Sequence, residues 1–290
     1  MKEELRVDHL PKPYAQMVNS IRLYGNPFDT SNEERNKLLV ETKKRGKLLY
    51  YTGCMASIRY KKVAELTARV LSKLGYDFAM LGGDEICCGG ILSMLGLEDE
   101  FKEVAKSNLK RIQKSQAKKV ITACPMCLKT MRYDYEELGM KAPFEVMHIS
   151  ELIAKAIKKG LKFKNSVSIK ALYHDPCHLG RACGIYEEPR EILKKITGLN
   201  YLEIPFFNKE ESLCCGGFLR PAFPNLATAI NELVFLETKE LNIDSIVTSC
   251  PTCLHNFSVI APEFNLQVYE LTELIAVAIG IVRLEEIKKF

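Results

Sequence analysis

Short apolar runs alternate with longer amphipathic stretches along most of this chain. Residues 47–52 read as a strand. In residues 57–74, Val63, Leu66, Val70 and Leu74 recur at helical spacing, and Gly75 is placed to close that helix. Residues 119–123 are again strand-like and lead through Cys124-Pro125 into a helix whose first turn suits proline. Ser150 and Thr272 are positioned as N-caps of two matching helices that both contain ELIA. Strands alternating with helices predict parallel βαβ units, an α/β architecture in which ligand groups gather at the carboxyl ends of the strands. Residues 1–46 fall outside this alternation. PYAQMVNSIRLYGNPFD has a short amphipathic look and residues 30–45 are strongly polar, so the segment reads as an arm or linker that either packs against the body or docks a partner.

The alternation is written twice. YYTGCMA (50–56) is answered by YHDPCHL (173–179), DEICCGGIL (84–92) by ESLCCGGFL (211–219), VITACPMCLK (120–129) by IVTSCPTCLH (246–255), and ISELIAKAI (149–157) by LTELIAVAI (271–279). The landmarks keep their order at offsets of 122 to 127 residues, which makes the chain a tandem duplication, with a first repeat at 47–163 and a second at 164–290. Each half is expected to be a small parallel-sheet α/β unit.

Composition narrows the chemistry. The 290 residues are 47% hydrophobic, enough for a real core. The 41 basic and 36 acidic residues are intermixed and leave a net charge of only +5, which argues against a nucleic-acid partner. The N-terminus has no apolar signal region, and the longest apolar run, 274–282, falls far short of the ~20 residues a membrane span needs, so a cytoplasmic protein is expected. Eleven cysteines in that setting point to metal or redox chemistry rather than a disulfide framework.

Ten of the eleven fall into two sets of five: Cys54, Cys87, Cys88, Cys124 and Cys127, then Cys177, Cys214, Cys215, Cys250 and Cys253. Structural zinc takes four ligands and has no use for a fifth, adjacent thiolate. A thioredoxin-like reading of CPMC and CPTC, with a thiol activated at a helix N-terminus, leaves the other six idle. Ordinary iron–sulfur cubanes are also satisfied by four thiolates. Five thiolates per half ask for something less usual, and the glycines behind the adjacent pair permit a tight backbone turn.

These motifs resemble the CCG domain, duplicated as in the cysteine-rich subunits of heterodisulfide reductase, in one of which the pair makes up only part of the chain. The resemblance covers residues 47–290, and every required cysteine is present. YHDPCHLGR also resembles the second repeat of iron–sulfur subunits of glycolate and lactate oxidation systems. The resemblance implies two noncubane [4Fe-4S] clusters of five thiolates each, facing a shared cleft, with a disulfide cleaved or formed between them. It implies an oxidoreductase acting on a sulfur group. Neither a ferredoxin-type cysteine run nor a GxGxxG fingerprint is present, so a ferredoxin-like subunit, with a flavoprotein beyond it, is the expected electron source. Because IRLYGNPFD resembles the segment that follows the ferredoxin module in fused members of the family, the arm is expected to dock that subunit. Two alternatives stand beside this reading: an electron-transfer subunit of a 2-hydroxyacid-oxidising complex, and an assembly or sulfur-carrier-binding component of a sulfur-oxidising complex.

Other side chains near the cysteines are candidates for the remaining chemistry. His174, His178, His255 and Lys129 are positioned to supply protons to a leaving thiolate or to hydrogen-bond cluster sulfurs and backbone. Arg59, Arg181 and Arg220 are positioned to bind an anionic thiol or disulfide, or to remain solvated surface charges. Cys183 has no counterpart in the first half and reads as an inert thiol.

Overall fold

The structure is a computed structural model that describes residues 6–38, 40 and 43–287. Its eight named strands are β1 (Leu48–Tyr50), β2 (Phe78–Ala79), β3 (Lys119–Thr122), β4 (Glu145–His148), β5 (Ile169–His174), β6 (Leu199–Leu202), β7 (Ser245–Thr248) and β8 (Gln267–Glu270). They form two four-stranded sheets with the orders β2-β1-β3-β4 and β6-β5-β7-β8. Every pairing is parallel. The duplication read in the sequence is thus a duplication of topology. The central strands are apolar because helices cover both faces of a parallel sheet: Leu49, Tyr50, Val120 and Ile121 are inaccessible, as are Ile246 and Val247.

The halves hold each other through exchanged helices. Helix Lys61–Lys73, which follows β1, packs on Leu271–Ala278, the last helix of the second half; Ile149–Lys158 of the first half packs on Glu187–Leu193 of the second. All eight residues of Leu271–Ala278 are buried, which accounts for the apolar LTELIAVA. Leu66, Val70, Ile192, Leu193, Leu274 and Ile275 therefore share one core across the duplication.

Two details differ from the sequence reading. The stretch expected as one helix over 57–74 is broken: a wide π-type turn at Met55–Arg59 precedes Tyr60, whose φ of −122° and ψ of 54° leave the helical region before Lys61–Lys73 begins. Gly75 does close it, at φ +79°. Ser150 and Thr272 are not N-caps. β4 and β8 run directly into their helices, so the caps are His148 and Glu270, which accept from Ser150 N–H (3.2 Å) and Thr272 N–H (2.7 Å). Glu151 and Glu273 complete capping boxes. Imidazole and carboxylate acceptors replace the expected hydroxyls.

The N-terminal segment is bound to the body. Helix Lys12–Tyr24 puts Val18 and Ile21 into the first-half core, and the Tyr14 ring stacks on Phe218 of the second half at 5.2 Å with its hydroxyl donating to the Phe218 carbonyl (2.8 Å). Leu23 and Tyr24 stay exposed. Among the described residues no helix is long and apolar enough to cross a membrane.

Candidate functional site

Cys54, Cys124, Cys177 and Cys250 lie beyond the carboxyl ends of the central strands β1, β3, β5 and β7, and the Cys-Cys pairs lie in the loops after the edge strands β2 and β6. Cys54 follows β1 and leads into the π-type turn; Cys177 follows β5. Cys124 and Cys250 are the extended residues just before helices Pro125–Lys129 and Pro251–Ser258, where proline occupies the first turn and costs no hydrogen bond. A second π-type turn, Thr130–Asp134, follows the first CPxC. Such turns recur at functional sites because they widen the helix locally.

The two glycines of each CCGG serve different ends. Gly89 and Gly216 have φ of +87° and +72°, a left-handed conformation that re-aims the chain after the cysteine pair. Gly90 and Gly217 instead lie hard against the CPxC helix: a Cβ would fall 2.7 Å from Met126 Cγ in the first half and 2.6 Å from Thr252 Cγ2 in the second. The loop carbonyls are satisfied by buried donors. Asn108 Nδ2 donates to Cys87 O (2.6 Å), the Tyr135 hydroxyl to Cys88 O (2.8 Å), and Asn256 Nδ2 to Cys215 O.

All the cysteines are free thiols. Within each half the thiols neighbour one another in a row: Cys54, Cys87, Cys88, Cys127, Cys124 in the first, and Cys177, Cys214, Cys215, Cys253, Cys250 in the second. The Cys177–Cys214 sulfur separation is 3.9 Å. Hydrogen bonds from Cys127 and Cys87 bring Cys88 down to about 6, and those from Cys177 and Cys215 hold Cys214 far below the ordinary thiol range. The shift favours the thiolate, the form that binds metal, at Cys88 and Cys214, while burial and neighbouring thiols push Cys54, Cys127, Cys177 and Cys253 the other way. Among the described residues no group of three or more His, Cys, Asp or Glu side chains is arranged about a single metal ion. The donor set is all sulfur, and a row of five exceeds what one tetrahedral ion needs, so it fits a polynuclear iron–sulfur group.

All five first-half cysteines line a cavity of about 380 Å³. Phe218, Arg220, Thr252 and His255 close it from the second half, and Met17 and Phe28 from the N-terminal segment. The second row does not line this cavity. It is more open: Cys177 is half-buried and Cys214 exposed, while His178, next to the row, feels the charges of Lys129 and Asp134 in the first half.

A buried ion pair braces each row. Arg35 Nη1 donates to Glu85 Oε1 (2.6 Å), and Glu85 also accepts from Thr52 N–H (2.9 Å) and Gly53 N–H (2.9 Å), tying the Cys54 loop to the Cys87 loop. In the second half Arg190 grips Asp175 with both terminal nitrogens, at 2.8 and 2.7 Å, and Asp175 also accepts from Lys209 N–H (2.8 Å). Sequence reasoning missed Arg35. It sits in a polar run, and its carboxylate partner is 50 residues away, so no local pattern marks it as buried.

The other predicted side chains are dispersed. Arg59, Arg220 and His255 line the cavity. Arg59 lies over the Phe28 ring at 4.8 Å, Arg220 is held by Asn256 and Thr228, and His255 Nδ1 is 3.1 Å from the Tyr60 hydroxyl. Burial, then Arg220 and Arg59, push His255 below the ordinary imidazole range. His178 Nδ1 stands 3.6 Å from Cys177 Sγ. His174 is sealed against Phe257, ring centroids 4.6 Å apart, and burial pulls it down to about 4. Lys129 pairs with Asp134 at 2.5 Å. Arg181 turns away and donates to the carbonyls of Glu210 (3.1 Å) and Ser212 (2.5 Å), bridging the approach to Cys214. Cys183 is half-buried against the first-half core, and burial raises it to about 11.

Residues 48–132 and 171–258 each match the model of the CCG family, the cysteine-rich domain, so the two halves of the fold coincide with two copies of it. The chain belongs to the CCG cysteine-rich domain family, as an iron–sulfur protein of the heterodisulfide-reductase type. It is 36% identical over 284 residues to the D-type chain of dihydromethanophenazine:CoB–CoM heterodisulfide reductase of Methanosarcina barkeri, covering 93% of this chain and 69% of that one. It is 34% identical over 233 residues to EtfAB:quinone oxidoreductase of Syntrophomonas wolfei, covering 76% of this chain but only 32% of the relative. A crystal structure of a hypothetical protein from Helicobacter pylori shares the fold, with a TM-score of 0.58 at 11% identity over 86% of this chain and 53% of that one.

Proposed function

We propose that this chain is the disulfide-handling component of a heterodisulfide-reductase-like complex, each row of five cysteines holding one noncubane [4Fe-4S] cluster. The observation that carries the reading is the cavity: it encloses all five first-half sulfurs and is closed by Arg220, Thr252 and His255 of the second half. Loaded clusters would supply single electrons at sulfur-ligated iron. The chain's own residues do the rest. Arg59 and Arg220 present guanidinium groups to an anionic thiol or disulfide from opposite halves. His255, held by Tyr60 and shifted below the ordinary imidazole range by burial, is placed to exchange a proton with a departing thiolate. His178 orients Cys177; Lys129, committed to Asp134, steadies the first-half turn that faces His178. The chemistry balances as one disulfide, two electrons and two protons giving two thiols. The electrons come from a ferredoxin-like partner docked at the N-terminal segment, with a flavoprotein beyond it.

A second reading is supported by the similarity to EtfAB:quinone oxidoreductase: the chain relays electrons and cleaves no disulfide. The test is anaerobic assay of the loaded chain with a reduced viologen dye and a small anionic disulfide. Thiol release that is lost in Cys87→Ser supports disulfide chemistry; dye oxidation without thiol release makes the chain a relay.

A further inference from the structure

The two rows of cysteines are related by the repeat, but their surroundings are not. The first row is enclosed: all five cysteines are buried. Into it projects Arg35, which comes from outside the repeats and whose side chain is only 1% exposed. Its Nη2 donates to Cys54 Sγ at 3.2 Å. Its Nη1 is fixed by Glu85 Oε1 (2.6 Å), Thr52 Oγ1 (3.3 Å) and the Ser57 hydroxyl. The fork is therefore aimed: one arm is locked to the carboxylate, and the other points at a ligand sulfur.

The second row is open at one end only, with Cys177 half-buried and Cys214 exposed beside buried Cys215, Cys250 and Cys253, and its buried guanidinium is turned elsewhere. Arg190 spends both terminal nitrogens on Asp175, and the Glu203 carboxylate lies 2.8 Å from its Nε as a second ion pair. Cys177 has His178 Nδ1 at 3.6 Å instead. Enclosure and exposure pull reduction potentials apart. Reduction adds negative charge, which a dry site resists and a solvated one accommodates, while a hydrogen bond from a cation to a ligand sulfur favours the reduced form. The first site thus combines the unfavourable burial with the favourable donor, and the second combines partial exposure with no such cationic donor among the described residues.

We infer that Arg35 is a positioning residue that raises the reduction potential of the first site, offsetting its burial and keeping it within reach of the more exposed second site. Glu85 does not cancel the effect, because its oxygens face the Thr52 and Gly53 amides while the free arm of Arg35 faces Cys54. A reaction that needs an electron pair from two one-electron sites is served by bringing their potentials together. The inference rests on the proposed loading of both rows.

The experiment is potentiometric titration of the full, anaerobically loaded chain, followed by electron paramagnetic resonance, with iron counted per chain. Arg35→Lys keeps the charge but loses the fork; Arg35→Met with Glu85→Gln removes both partners and leaves no buried charge unpaired. In both variants one of the two redox transitions is expected to move to more negative potential by at least tenfold in its reduction equilibrium, about 59 mV for one electron, while the other stays. Unchanged transitions at full iron content, or both moving together, overturn the inference. Loss of half the iron in both variants also overturns it, since Arg35 is then a brace of the loop and not a tuner. A wild-type chain that takes up no iron sinks the proposed function itself, whereas a loaded chain whose variants keep their potentials sinks only the role of Arg35.

Discussion

The Tyr60 hydroxyl lies 3.1 Å from His255 Nδ1, joining residues 195 positions apart and linking the start of a first-half helix to the second CPxC helix. Tyr60 is also where the expected helix over 57–74 breaks, so the departure from helical geometry delivers the phenol to its partner. Tyr60→Phe removes one half-buried hydrogen bond and is expected to cost about 1 kcal/mol. Urea unfolding of the variant beside the wild type measures it. Thiol-forming activity, if His255 exchanges the proton, falls with a change in kcat larger than the change in KM.

Gly89 is both left-handed and crowded. Its φ is +87°, and a Cβ there would lie 2.8 Å from Phe101 Cδ2. Gly89→Ala is expected to destabilise the first half by about 2 kcal/mol, combining backbone strain with overpacking. The chain should also lose iron from one row only, which metal analysis of the purified variant reads directly.

Asp175 and Arg190 are 2% and 3% exposed at their side chains and hold the loop that leads into Cys177. Asp175→Ala leaves a buried guanidinium whose remaining charge partner among the described residues is Glu203. The expected loss is about 3 kcal/mol, because removing one member of a buried pair strands the other. The midpoint of chemical unfolding should fall accordingly, and Asp175→Glu should recover part of it.

His148 makes stability depend on pH. Burial holds the ring at about 4, well below its ordinary 6.5, and the neutral ring accepts from Ser150 N–H while Nε2 meets the Ala123 carbonyl at 3.2 Å. The unfolded chain takes up the proton near 6.5, but the folded chain resists until about 4. Its contribution is therefore full above the upper value and is lost as pH falls toward the lower one, about 3 kcal/mol in all. His148→Asn keeps a cap acceptor without the titration, and its unfolding free energy should be flatter across that window.

Much of this was legible in the sequence because it is local or repeated. The parallel α/β halves follow from apolar runs with alternating helices; Cys54, Cys124, Cys177 and Cys250 follow strands, and the motifs carry their own turn residues, Gly89, Gly216 and the CPxC prolines. Contacts between distant segments were not legible. Arg35 looks solvated among NEERNK, and only the folded chain brings Glu85 and Cys54 to it. Arg181 sits close to Cys177 in sequence, yet two backbone carbonyls claim it. The caps His148 and Glu270 escaped because hydroxyl and Asx side chains are the usual signal at that position.

Whether each half holds an iron–sulfur cluster on its own five cysteines is decided by counting iron and acid-labile sulfide on the anaerobically purified chain. Two four-iron clusters give about eight irons per chain, falling to about four in Cys87→Ser with Cys88→Ser. Zinc in place of iron, or a full complement of iron that survives the loss of both thiols, contradicts the assignment.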